Sequence, residues 1–96
     1  MGTSTEDLLR ATVAALLRAT GESQGDLASG LGLSQAQVSR KLAGRCGWAV
    51  ADLDRLSTHY GIAVVDLVVG PTHALRLLPD KRRAAVVGGT QTVITL

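Results

Sequence analysis

The chain has 96 residues, of which 46% are hydrophobic and 19% are charged, and its net charge is +2. This length fits one domain with a modest core and excludes a second full domain. A single cysteine, Cys46, excludes an internal disulfide, and no apolar run approaches the roughly 20 residues of a membrane helix. The start of the chain has no signal-peptide pattern, so we expect a cytoplasmic protein.

The first predicted helix begins at Thr5, has Glu6 and Asp7 in its first turn and ends at Gly21. Acidic residues suit the start of a helix, and glycine suits its end. Apolar residues and one threonine recur along one face at helical spacing: Leu9, Val13, Leu16, Leu17 and Thr20. This pattern predicts a helix that serves mainly as scaffold.

Two short helices are predicted next, and each begins with a capping pattern. Ser23 is followed three residues later by Asp26, and Ser34 is followed in the same way by Gln37. Gly32 stands between the helices, where a left-handed backbone costs a glycine little. The apolar faces that can meet are Leu27, Ala28 and Leu31 on one helix and Val38 and Leu42 on the other. Two helices crossing at a tight turn form a helix-turn-helix.

This segment resembles the helix-turn-helix of the lambda-repressor and Cro family, the XRE-like regulators of phages and bacteria. The matching residues are Gln24, Leu27, Ala28, Gly32, Ser34, Val38, Ser39 and Gly44. The resemblance extends loosely over residues 5–69 and implies one helix before the motif and two after it. One departure is that the family often has an apolar residue followed by Glu where this chain has Lys41 and then Leu42.

The next two helices follow from periodicity and breaks. Gly44 ends the third helix, and Gly61 ends a fourth whose apolar positions are Val50, Leu53, Leu56 and Tyr60. Residues 62–69 hold a short fifth helix, and Gly70 with Pro71 breaks it. We therefore predict a mainly α, five-helix, lambda-repressor-like DNA-binding domain over residues 1–70.

Residues 71–96 change character. Ala84–Val87 and Thr90–Leu96 are rich in β-branched residues and flank Gly88 and Gly89, whereas residues 72–79 are ambiguous. The pattern predicts a C-terminal β-hairpin or extended strand arm. Because an isolated hairpin is marginal in water, we expect it to pair with a second copy, as a dimerisation segment, or to pack on the helices.

The charge distribution favours DNA as a partner. Residues 34–46 carry Arg40, Lys41 and Arg45 without an acidic residue. The candidate base-contacting residues are Gln35, Ala36, Ser39 and Arg40, with Arg40 the strongest of them. The resemblance implies that Gln24 and Ser34 contact phosphate, and Lys41 and Arg45 add charge there.

A second basic run, Lys81, Arg82 and Arg83, has two interpretations. It is either a solvated cluster or, if a hairpin carries it to the two-fold axis, a set of additional phosphate contacts. Trp48 is expected to fill the core beneath the fourth helix rather than to stack on DNA.

No catalytic, metal or cofactor site is predicted. His59 and His73 are the only histidines, and with Cys46 they show no metal-ligand spacing. No nucleophile, base and orienting group can be recognised together, so an enzyme is not expected.

The predicted function is a sequence-specific transcriptional repressor, Cro-like or of the immunity type, that binds a palindromic operator in double-stranded DNA as a homodimer. One alternative is an antitoxin that regulates its own operon and binds a toxin through the tail. The other is a protein-interaction module that keeps the fold without binding DNA.

Overall fold

Six α-helices and one 3-10 helix make up residues 4–84, the part of the chain that the computed structural model describes. The α-helices are α1 (Thr5–Thr20), α2 (Gln24–Leu31), α3 (Gln35–Leu42), α4 (Val50–Tyr60), α5 (Val64–Leu67) and α6 (Pro71–Leu77). The 3-10 helix covers Asp80–Arg82. Residues 4–84 contain no strand. The predicted positions of the first five helices are confirmed.

The two predicted capping boxes are present. Ser23 Oγ accepts a hydrogen bond from the backbone N–H of Asp26 at 3.0 Å, and Asp26 Oδ2 accepts one from the N–H of Ser23 at 3.0 Å. Ser34 and Gln37 exchange the equivalent bonds at 3.1 and 2.8 Å. Gly32 follows α2 with φ of 70°, in the left-handed region. These local bonds satisfy helix-end donors and determine where α2 and α3 begin.

The core is formed by residues from all six helices and from the connection between α4 and α5. Helix α1 packs against α6, while α2 packs against α3 and α4. The buried apolar residues are Leu9, Val13, Leu16, Leu27, Ala28, Leu31, Val38, Leu56, Tyr60, Ile62, Leu67, Ala74 and Leu78. Each large side chain among them contributes about 1.5–3 kcal/mol by leaving water.

One predicted core position on α4 is wrong. Val50 is 79% exposed, and Asp52 is only 4% exposed. Asp52 lies in the first turn of α4, where its Oδ2 accepts a hydrogen bond from the N–H of Ala49 at 2.8 Å. This capping bond turns the carboxylate toward the interior and leaves Val50 on the outside. Leu56 and Tyr60 are buried as predicted.

The helices continue past Gly70, where the sequence predicts the end of the helical domain. Pro71 begins α6, because proline lacks only an N–H that the first turn of a helix does not use. Ala74 and Leu78, four residues apart, are buried in the core. The chain therefore continues into the helical domain instead of leaving it as an arm at residue 71.

The strands predicted at residues 84–87 and 90–96 lie outside the described residues, except for Ala84. The backbone N–H of Ala84 donates a hydrogen bond to the carbonyl of Ala19 at 2.8 Å, which brings this part of the chain to the end of α1. Ala84 is not in a strand, and residues 71–84 give no support to a β-hairpin.

Four side chains, here called the C-terminal cluster, join the 3-10 helix to the rest of the domain: Glu22, His59, Tyr60 and Arg82. Glu22 Oε2 lies 2.7 Å from His59 Nε2 and 3.3 Å from Arg82 Nη2. The Arg82 guanidinium lies 5.6 Å from the centre of the Tyr60 ring. Burial, reinforced by the Glu22 carboxylate, raises the pKa of Tyr60. The cluster holds Arg82 inside the fold.

Acid should weaken the contribution of this cluster to stability. Burial opposes ionisation of Glu22, but the hydrogen bond and charge of His59 and the bond from Arg82 lower its pKa below the ordinary 4.5. A carboxylate with a lowered pKa stabilises the fold above its ordinary pKa and loses that effect as the pH falls through the lowered value. We expect Glu22→Gln to be destabilising at pH 7 and progressively less so below about pH 4.5. Urea unfolding of both proteins between pH 7 and pH 3 measures this difference, and a pH-independent difference would contradict the prediction.

Candidate nucleic-acid interface

Helix α3 presents one continuous exposed face. Gln35, Ala36, Ser39 and Arg40 are all exposed, whereas Val38 is completely buried. Their spacing places them on neighbouring turns of one side of the helix, because residues three and four apart share a face. The structure therefore brings the four predicted base-contacting residues together.

The first turns of α2 and α3 lie beside each other. A Cβ atom placed on Gly25 would lie 3.5 Å from Gln35 Oε1, so the Gln35 side chain passes over the start of α2. Gln24 and Ser34 are exposed at these two helix starts. Backbone N–H groups at helix starts favour anions such as phosphate.

Positive charge lies at the other end of α3. Arg45 is exposed, and its backbone N–H donates to the carbonyl of Arg40 at 2.9 Å. Gly44, with φ of 80°, makes the turn between them. The Arg10 guanidinium, whose Nη2 donates to Asp7 Oδ1 at 2.9 Å, approaches from α1 to 3.2 Å from where a Cβ of Gly44 would lie. Sequence reasoning missed Arg10, and no local signal marks it, because the approach depends on how α1 packs.

Lys41 does not lie on the exposed face. Its side chain is 12% exposed, and its Nζ lies 2.9 Å from Asp52 Oδ2 and 3.0 Å from the carbonyl oxygen of Gly47. The Nζ also lies 5.7 Å from the centre of the Trp48 ring, which is half-buried and packs against the core instead of filling it. The ammonium group predicted to contact phosphate is thus engaged within the protein.

The basic run at residues 81–83 does not form one surface. Lys81 is exposed, whereas Arg82 belongs to the C-terminal cluster. Arg83 donates a hydrogen bond to the carbonyl of Leu75, and its Nε lies 3.6 Å from Asp80 Oδ1. The hairpin on which the phosphate-contact hypothesis depended lies outside the described residues. Lys81 alone of the three has its charge free in the described part of the chain.

Residues 4–84 hold no group of three or more His, Cys, Asp and Glu side chains that could bind a metal ion. His59 and His73 each contact a single carboxylate, and His73 Nε2 lies 2.8 Å from Asp66 Oδ1. None of the helices in this range combines the length and apolar character that crossing a membrane requires.

The family model of the BetR domain matches residues 4–92. The chain belongs to the BetR domain family. BetR domains are small helical domains of helix-turn-helix type found in DNA-binding regulators. The match spans every helix from α1 to the 3-10 helix. No curated protein and no solved structure matches the chain.

BetR membership confirms the coarser part of the sequence prediction, a small helical DNA-binding regulatory domain. BetR membership does not show that the chain belongs to the lambda-repressor and Cro family. That similarity stays a resemblance carried by residues between Gln24 and Gly44. The geometry agrees with the helix-turn-helix type of the BetR domain, because the short helix α3 packs against α2 and presents its polar face to solvent.

Proposed function

We propose that this BetR protein is a sequence-specific transcriptional repressor that reads operator DNA with α3. One observation supports this above the others: Gln35, Ala36, Ser39 and Arg40 share an exposed face on a capped helix that packs against α2. Recognition helices of this type enter the major groove with their N-terminal residues toward the bases. The function is binding, and no catalytic step is part of it.

The four side chains suit base edges in different ways. Gln35 can form two hydrogen bonds with adenine, and Arg40 can form two with guanine O6 and N7. Ala36 can contact a thymine methyl group, and Ser39 can donate to or accept from several bases. Arg40 is the strongest candidate because it is exposed and the arginine–guanine pair is the commonest specific base contact.

Phosphate contacts would surround this face. Gln24 and Ser34 lie at the starts of α2 and α3, and Arg45 follows the other end of α3. Arg10 is added to the sequence-derived set because its guanidinium reaches the same turn as Arg45 and its ion pair with Asp7 lies at the surface. Lys41 and Arg82 are left out, because their charges are engaged within the fold. Such contacts determine register and orientation rather than sequence preference.

The protein is proposed to act as a homodimer on a near-palindromic operator. Two recognition helices related by a two-fold axis would enter successive major grooves about 34 Å apart. Exposed apolar residues outside α3 support a second copy as partner: Val65 in α5 and Val69 just after it lie four residues apart. Bound at a promoter, such a dimer would block polymerase. Sedimentation at several concentrations tests the stoichiometry.

Selection of bound sequences from random duplex DNA at physiological salt tests the function directly. An enriched inverted repeat would support a dimeric sequence reader and give its half-site spacing. Binding without enrichment would leave only electrostatic attraction to phosphate. Absence of binding would refute the proposal and favour the interaction-module alternative.

Arg45 should contribute to affinity through phosphate alone. We expect Arg45→Ala to weaken specific and non-specific binding alike and to reduce the slope of log affinity against log salt concentration by about 0.9, the value for one lost phosphate contact. Binding titrations at several salt concentrations measure the slope. Arg76→Ala is the matched control, because Arg76 is also an exposed arginine and lies on α6. An Arg45→Ala slope equal to that of the wild type would contradict the assignment.

A further inference from the structure

Lys41 is a charged residue with an unusually complete set of partners inside the domain. Its Nζ contacts the carboxylate of Asp52, the carbonyl of Gly47 and the face of Trp48. These partners come from the loop after α3 and from the first turn of α4. The last turn of α3 is therefore tied to α4 through one side chain.

Asp52, which pairs with Lys41, is itself held by a hydrogen bond at the start of α4. Its Oδ2 accepts a hydrogen bond from the N–H of Ala49 while it pairs with Lys41. Burial opposes ionisation, but the hydrogen bonds from Lys41 and Ala49 and the charges of Lys41 and Arg55 lower the pKa of Asp52. The hydrogen bond from Ala49 holds the Asp52 carboxylate in place on α4. The carboxylate is therefore a fixed partner for Lys41 at the end of α3.

Helix α3 packs against α2 and α1, but it buries few of its own side chains. It is eight residues long, and Val38 is its only fully buried residue. Leu42, on the same face, is only half-buried. A single buried side chain restricts rotation of a short helix poorly, whereas base contacts require donor–acceptor distances of about 2.7–3.2 Å. A second attachment near the other end of the helix would restrict its rotation.

We propose that Lys41 and Asp52 are positioning residues that set the orientation of α3 for base readout without touching DNA. This inference rests on the proposed function of α3. The mostly buried side chain of Lys41 and its paired ammonium group join the last turn of α3 to the first turn of α4. The pair would govern sequence discrimination, while Arg45 and the helix starts supply attraction to phosphate.

Three variants test the pair: Lys41→Met, Asp52→Asn and the double variant. Methionine keeps a long apolar stem beside Trp48, and asparagine can still accept the hydrogen bond from Ala49. We expect each single variant to lower affinity for the selected operator by about fivefold to 150-fold, the range given by one lost base contact. The double variant should lose no more than the single variants, because both act through one contact.

Non-specific affinity and the salt slope separate positioning from phosphate contact. Both should equal the wild-type values in all three variants, whereas Arg45→Ala changes them. A slope reduced by about one in Lys41→Met would show that Lys41 contacts phosphate and would overturn the inference. Additive losses in the double variant, or unchanged operator affinity, would overturn it as well.

Two further measurements keep the test decisive. Thermal unfolding shows that each variant is folded at the temperature of the binding assay. The double variant removes the unpaired buried carboxylate that could unfold Lys41→Met alone.

Amide spectra without DNA should show shifted resonances throughout α3 in every variant, and unshifted resonances would refute positioning. If the wild type selects no operator, the proposed function fails, and these spectra still decide whether the pair orients α3.

Discussion

Replacement of Arg40 by alanine is expected to lower affinity for the selected operator by about fivefold to 150-fold, the equivalent of roughly 1–3 kcal/mol. Arg40 is exposed on the face of α3 that also carries Ala36 and Ser39. Its guanidinium can bind guanine O6 and N7 together, and alanine can bind neither atom. Discrimination should relax at one base pair and persist at the others.

Dissociation constants at one salt concentration, measured over operators that carry all four base pairs at each position, test this result. Arg76→Ala, on α6, should leave both affinity and discrimination unchanged. A uniform loss over all operators would instead assign Arg40 to phosphate, because phosphate contacts carry no sequence information. An unchanged affinity would show that α3 is not the reading helix.

The second large effect concerns stability. Leu78→Ala is expected to lower the free energy of unfolding by about 2–5 kcal/mol, the usual cost of truncating a buried leucine. Leu78 is 3% exposed and belongs to the core cluster that also contains Leu16 of α1. Small domains are stable by only about 5–15 kcal/mol, so this loss would be a large share of the total.

The neighbouring residue provides the control. Leu77 is 44% exposed, so Leu77→Ala removes the same atoms from a largely solvated position. We expect it to cost less than about 1 kcal/mol. Urea unfolding of the two variants and the wild type gives the comparison. Equal effects at the two positions would mean that α6 is not packed into the core.

The burial of Leu78 also bears on where the domain ends. A chain ending at Gly70 would lack Ala74 and Leu78 and would expose the face of α1 against which α6 packs. The BetR match, which continues to residue 92, agrees with a domain that extends past α5. Binding studies therefore need at least residues 4–84.

The sequence by itself determined the local features of the helix-turn-helix. Ser23 and Asp26 are three residues apart, and so are Ser34 and Gln37. This is the separation at which two residues can exchange capping bonds at the start of a helix. Burial of Val38 follows from its apolar character, and helical spacing then places Arg40 on the opposite side. The candidate reading face could be predicted because each of these relations spans only a few residues.

Tertiary structure decided which basic side chains pair with distant carboxylates inside the fold. Arg82 contacts Glu22, 60 residues away in the sequence, and Lys41 contacts Asp52 on another helix. From sequence alone, a basic residue is predicted to contact phosphate. Whether a distant carboxylate pairs with it instead depends on how the helices pack. The same reason explains Arg10 at the turn after α3. Helix α6 was missed because Pro71 permits either a break or a helix start, and only the face of α1 that it covers distinguishes the two.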